Sequence, residues 1–167
     1  KNNIKFLIQD YKYKVNSMLD DKDKKIIELL VASGREPATS ISEKIGLSVP
    51  SVTERIKKLQ ESGVIQGIHA VLEPKMLGLD VSALITLISE SSVHYKNVTK
   101  AARKTSEVVQ YFSTTGKGSH TLLIVTRNSR TLEELLRKIQ NWPGVIRTET
   151  QVILSSYKLV QNISLIP

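Results

Sequence analysis

Apolar residues recur along this chain with two different periods, and the change falls near residue 63. Before it, they return every three to four positions, as on one face of a helix. Ile4, Leu7, Ile8, Tyr11, Val15 and Met18 predict an amphipathic helix over 4–18. Ile26, Ile27, Leu30 and Val31 predict a second, capped by Asp20 or Asp21 and ending near Ser33-Gly34. A compact helix over 40–45 carries a capping-box pattern in Ser40 and Glu43. Gly46-Leu47-Ser48 then turns into SVPSVTERIKKLQESG, residues 48–63, where Val52, Ile56 and Leu59 form one narrow stripe. Ser48 is its N-cap, Pro50 is tolerated in the first turn, and Gly63 is a permissive stop.

Beyond Gly63 the period changes. Residues 64–72 read as an extended segment leaving the helical unit, punctuated by Pro74 and Gly78. Leu79, Val81, Ala83, Ile85 and Leu87 alternate strictly, which predicts a strand with one buried face. A helix around Val98, Ala101 and Ala102 follows, then a strand over 108–114. The unbroken Leu122-Leu123-Ile124-Val125 predicts a central strand over 121–126. Thr131 and Glu134 form a second capping-box pattern, ahead of a helix striped by Leu132, Leu135, Leu136 and Ile139. Trp142-Pro143-Gly144 stops that helix, and 145–154 is the last strand. The order β-α-β-β-α-β is the ferredoxin-like arrangement, a four-stranded antiparallel sheet with two helices on one face. A second copy is the simplest cover for the other face, so the element order itself predicts a homodimer. Residues 159–167 are apolar enough for an added strand or a tail.

Polar positions add chemistry to the helix over 48–63. Away from its apolar stripe it presents Pro50, Ser51, Glu54, Lys57, Lys58 and Glu61, flanked by Thr53 and Arg55. Basic and small hydrogen-bonding groups on one surface can touch phosphates and base edges together. Two short helices joined by a glycine-containing turn form the helix-turn-helix pattern, whose second helix enters the major groove. The competing reading is an ordinary helical pair with a solvated charged face.

The formal net charge of +8 favours an anionic partner. It divides as +3 through Gly63 and +5 after it, so the excess is not confined to the proposed reading head. There is no cysteine, which excludes disulfides, thiolate metal sites and a cysteine nucleophile. No apolar run approaches the roughly 18 residues of a membrane span, so a cytoplasmic protein without a membrane partner is expected. His69, His94 and His120 are scattered, without metal-ligand spacing, and read as surface or turn residues. No GxSxG, GxxxxGK[ST] or GxGxxG motif occurs, and no cofactor or metal is expected. Residues 115–121 read as a glycine turn between strands.

Several of these stretches, taken in register, resemble one family. LDDKDKKIIELL (19–30), SGR (33–35), ISEKIGLSVPSVTERIKKLQESGVIQGIHAVLEPKMLGL (41–79) and WPGVIRTETQVIL (142–154) are similar to the leucine-responsive/asparagine-regulator (Lrp/AsnC) transcription factors. The resemblance implies a sequence-specific regulator of double-stranded DNA rather than an enzyme, built of dimers that often assemble further. Residues 19–63 would be the winged-helix-like helix-turn-helix domain, with Ser48, Pro50, Ser51, Thr53, Glu54, Arg55, Lys57 and Lys58 at the groove. Residues 64–78 would be a linking strand and hinge, and 79–158 the ferredoxin-like domain for dimerisation and sensing.

In that family the turn between the second and third strands helps bind a small effector, usually an amino acid, between subunits. The resemblance therefore implies an effector site at Gly116, Gly118, Ser119 and Thr121, with Thr148 and Thr150 matching the family's Thr-x-Thr. The family pattern places an acidic residue just before the central strand to hold an ammonium group; here Ser119 or Thr121 stands in its place. The expectation is a chain that ignores ordinary α-amino acids or answers to a ligand without that demand. An enzyme of the sirohaem decarboxylase type, with the same two domains around a tetrapyrrole, is the alternative; it would need basic and histidine residues converging on a cavity.

Overall fold

The computed structural model describes residues 19–156, so the helix expected over 4–18 and the tail after 158 lie outside the described residues. The chain divides into two compact units, with the cut between Val71 and Leu72.

The first unit holds three helices, α1 (Asp21–Ala32), α2 (Ala38–Ile45) and α3 (Val49–Glu61). Ile26, Ile41, Ile45, Val52 and Leu59 form its buried core, and Ile56 packs at its margin. Asp20 caps α1 reciprocally with Asp23. Two details of the expected pattern are corrected. Val31 is exposed and Leu29 packs inward in its place, because the inward stripe of α1 follows Ile26, Leu29 and Leu30. The box expected at Ser40 and Glu43 does not form: the helix begins two residues earlier, with Pro37 at its cap, so Ser40 already lies inside the first turn and donates to Glu36 Oε1 at 2.6 Å.

The extended segment after Gly63 forms no strand. Residues 66–73 have no regular structure, since a strand needs a neighbour to pair with and no described segment supplies one. A short 3₁₀ turn, Pro74–Leu77, follows.

The second unit has strands β1 (Val81–Ser89), β2 (Val108–Ser113), β3 (His120–Thr126) and β4 (Val145–Val152), with helices α4 (Tyr95–Arg103) and α5 (Ser129–Gln140). The strands make one antiparallel sheet in the order β2-β3-β1-β4, the ferredoxin-like topology. Ala83, Ile85 and Leu87 of β1 and Leu122 and Ile124 of β3 point into a core closed by Val98, Ala102, Leu135, Ile139 and Trp142. The box expected at Thr131 and Glu134 is displaced by one turn: Asn128 is the N-cap and Thr131 is its reciprocal partner.

The alternate positions of the same strands face the other way. Leu84 lies beside Leu123, Thr86 beside Thr121, and Thr86 also beside Glu149. Both described helices of this unit pack on the opposite side, and Phe112, at the end of this second face, is 46% exposed.

His120 is not the turn or surface residue expected from its isolation. It opens β3 and is only 2% exposed, because its even position in the strand faces the helices. Its ring meets Tyr95 edge-on at 4.5 Å and stacks on Tyr111 at 5.3 Å, while Ser119 Oγ lies 2.8 Å from Nδ1. Burial disfavours the imidazolium and lowers the pKa. The unfolded chain therefore binds more protons than the folded one between that lowered value and the ordinary value near 6.5, so stability rises with pH through the window and is lost on acidification. Urea unfolding at pH 5 and pH 7.5 should show the chain weaker at pH 5, and His120→Phe, which keeps the ring stacking, should reduce the difference. An undiminished difference in the variant would place the acid sensitivity elsewhere.

Candidate nucleic-acid interface

Helix α3 is held by one edge. Val52 and Leu59 are buried against α1 and α2, with Ile56 and Arg55 half-buried beside them, which leaves the opposite surface exposed among the described residues. The entry to the helix is fixed by the preceding turn. Gly46 adopts φ +66°, a left-handed conformation that residues with a Cβ rarely take, and Leu47 N–H donates to Ser42 O at 3.1 Å. The Ser48 hydroxyl then accepts from Ser51 N–H at 3.4 Å and lies 2.9 Å from Ser51 Oγ. Pro50, in the first turn, gives up no hydrogen bond there.

The sequence-predicted groove residues fall into two groups. Ser48, Pro50, Thr53, Glu54, Lys57 and Lys58 are exposed or half-exposed, with Ser51 half-buried beside its cap. Thr53 Oγ1 donates to Val49 O at 3.0 Å, which leaves its lone pairs and methyl outward. Lys58 pairs with Glu54 at 2.7 Å and Lys57 with Glu61 at 3.7 Å. The hydrogen bond from Lys58 holds the Glu54 carboxyl below its usual range, so it remains an acceptor at neutral pH.

Arg55 is placed differently from the expectation. Its Nη1 donates at 2.7 Å to Asp20 Oδ2 and at 2.7 Å to Asp23 Oδ1. The same two aspartates exchange the capping hydrogen bonds of α1, so Arg55 locks the start of one helix to the middle of another. Both carboxylates stabilise the guanidinium, and the Asp20 carboxyl is lowered by its bond from Asp23 N–H and then by Arg55. A cation flanked by two carboxylates has little charge left for a phosphate. Helical periodicity placed Arg55 on the flank of α3, but a contact 35 residues away leaves no mark in a local pattern.

Beside this helix lies a groove of about 440 Å³, lined by Leu19, Leu47, Leu59 and Val64 together with Ser51, Glu54, Arg55 and Lys58. Among the described residues no group of three or more His, Asp or Glu side chains could hold a metal ion, and no helix is long and apolar enough to cross a membrane.

The residues of the effector set are not gathered within one chain. Gly118 packs where a Cβ would fall 2.2 Å from Thr86 Cγ2 and 2.9 Å from Leu87 O, and Ser119 N–H donates to Leu87 O at 2.9 Å. Gly116 is exposed in the turn. Thr121 lies on the second face of the sheet, beside Thr86. Thr148 and Thr150 align with Leu87 and Ile85, on the helix-covered face.

Comparison with known proteins agrees with this division. Residues 19–66 match a family described as winged helix-turn-helix DNA-binding, and residues 80–163 match the Lrp/AsnC ligand binding domain. The HTH-type transcriptional regulator FL11 of Pyrococcus horikoshii is 38% identical over 140 residues, covering 84% of this chain and 92% of that protein. The crystal structure of the leucine response regulatory protein of Mycobacterium tuberculosis superposes with a TM-score of 0.80 at 30% identity, over 87% of this chain and 100% of that one. A feast or famine regulatory protein from M. tuberculosis, complexed with L-methionine, gives a TM-score of 0.81 at 30% identity, over 89% and 99% of the two chains.

Proposed function

The chain belongs to the Lrp/AsnC family of DNA-binding transcriptional regulators, and from that premise we propose that α3 is its reading helix. Ser48, Pro50, Ser51, Thr53, Glu54, Lys57 and Lys58 form the groove surface, and Arg55 is the brace that orients it. The observation that carries this reading is the one-edged burial of α3, which leaves a capped helix with hydroxyls, a carboxylate and two lysines outward. The weak, exposed pairs of Lys57 and Lys58 are readily exchanged for phosphates. The tetrapyrrole-acting alternative finds no support, since the relatives are named as regulators. The relatives are archaeal and bacterial regulators, whose genes lie in the cytoplasm, and the same location is proposed for this chain.

The working unit in this proposal is a homodimer, or a higher assembly of such dimers, formed across the second face of the sheet. Two reading helices related by a two-fold axis should meet half-sites about 34 Å, or one helical turn, apart. Footprinting on genomic fragments tests this: protection of paired half-sites at that spacing is expected, and protection without any repeated sequence would sink the reading.

The turn of residues 115–119 and Thr121 remain the proposed effector site, completed by a second subunit. The match of residues 80–163 to a ligand binding domain, beside a relative complexed with L-methionine, supports a small-molecule site in this domain. In this chain the turn offers backbone N–H groups and hydroxyls for a carboxylate but no acid for an ammonium, and an unpaired buried charge is costly. Glu149 shares the face of Thr121 but lies across Thr86, two strand spacings or about 10 Å away, and is paired with Arg147 at 2.8 Å. A thermal-shift screen of the twenty amino acids should therefore give no micromolar ligand. Micromolar binding abolished by Ser119→Ala or Thr121→Ala would overturn this reading of the turn.

A further inference from the structure

Helix α4 is charged unlike any other described helix. Lys96, Lys100 and Arg103, with Lys104 at the C-cap, follow at i, i+4, i+7 and i+8, a single stripe directly opposite the buried Val98 and Ala102. All four are exposed, and the helix contains no acidic residue. Helices α1, α2, α3 and α5 each pair a cation with a carboxylate, through Lys24 and Lys25, Lys44, Lys57 and Lys58, and Arg137 respectively. Among the described residues, no carboxylate forms an ion pair with any of the four cations of α4.

Intrinsic helix stability does not account for the stripe. Lysines spaced by four repel one another, and Lys96 lies in the first turn, where the helix dipole opposes a positive charge. Only the later cations, Lys100 and Arg103 in the last turn, gain from that dipole. The repulsion is relieved when a dense line of negative charge lies along the helix. From Lys96 to Lys104 the stripe runs about 12 Å at the helical rise, long enough to follow several phosphates of a duplex, which carries one charge per about 1.7 Å of its axis.

We propose that α4 is a second, sequence-independent contact to the duplex backbone, so that the domain sharing no element with the reading head also holds DNA. The proposal rests on this chain being a DNA-binding regulator. It predicts that phosphate neutralisation exceeds what α3 alone supplies.

The experiment uses the full chain carrying Lys96→Gln, Lys100→Gln and Arg103→Gln, on a duplex extending well beyond the footprint. The control removes the same number of charges at Lys75, Arg127 and Arg137. Binding is measured against salt, with light scattering and thermal unfolding confirming assembly and fold. The α4 variant removes six charges from each homodimer and should flatten the slope of log affinity against log salt by up to about five units, at about 0.9 per phosphate neutralised, while preference among operator sequences is kept. The control should change the slope by less than one unit. Equal flattening in both variants would show only bulk electrostatics and overturn the proposal. So would an unchanged slope, and if transcription in a purified system were then abolished, the stripe would belong to an acidic protein partner. Failure of α3 as the reading helix registers separately, as unchanged base preference in α3 variants, so the two readings fall independently.

Discussion

Leu84→Glu combined with Leu123→Glu should convert the dimer to monomers and lower operator affinity by about 10² to 10⁴-fold, the gain that two linked heads have over one. The two leucines are cross-strand neighbours on β1 and β3, at the middle of the sheet face that no described helix covers. A two-fold interface repeats each substitution on both sides, so four carboxylates would be brought into one apolar patch, and juxtaposed like charges cost several kcal/mol. The inward neighbours Ala83, Ile85, Leu122 and Ile124 are untouched, so the fold of each subunit should survive. Light scattering over a dilution series, read beside circular dichroism, decides the matter. A folded dimer of unchanged stability would remove this face from the interface, and if the double variant proves unfolded, Thr86→Lys poses the same question more gently on the same face.

The parts of this architecture that are legible in the sequence are those written in local periodicity. The alternation of Ala83, Ile85 and Leu87 marks both the strand and its buried face, and the stripe of Val52, Ile56 and Leu59 marks the inward edge of α3. Helix starts are less legible because Ser, Thr and Asp cap in several registers. Thr131 has the right chemistry for an N-cap, yet Asn128 three residues earlier takes that place and leaves Thr131 as its reciprocal partner. Tertiary pairings are not legible at all. Nothing near Arg55 announces Asp20 and Asp23, and nothing near His120 announces Tyr95. The basic stripe of α4 is present in the spacing of its lysines, but its meaning depends on each other described helix pairing at least one cation with a carboxylate while this one pairs none.

The reading helix gives the second large effect, and in it Arg55 behaves differently from its neighbours. Lys57→Ala or Lys58→Ala should weaken binding to all duplexes alike and lower the salt slope by about 0.9 for each phosphate no longer neutralised. Their partners Glu61 and Glu54 are exposed and remain solvated, so little stability should go with them. Ser51→Ala or Glu54→Ala should instead change base preference, by about 1 to 3 kcal/mol per base pair read, because a hydroxyl and an ionised carboxylate read base edges rather than phosphates. Arg55→Ala should do neither directly. It removes the cation shared by Asp20 and Asp23 and leaves two carboxylates facing each other at the start of α1, with Asp23 largely shielded from solvent. The expected result is a lower unfolding midpoint of the helical unit, since Asp23 loses its cation in a partly shielded site. Affinity should then fall with little change in salt slope. Fluorescence anisotropy across salt, run beside chemical unfolding of the same variants, separates the outcomes. A slope lowered by a full unit in Arg55→Ala, with unfolding unchanged, would return Arg55 to the phosphates and leave α1 and α3 without their proposed brace.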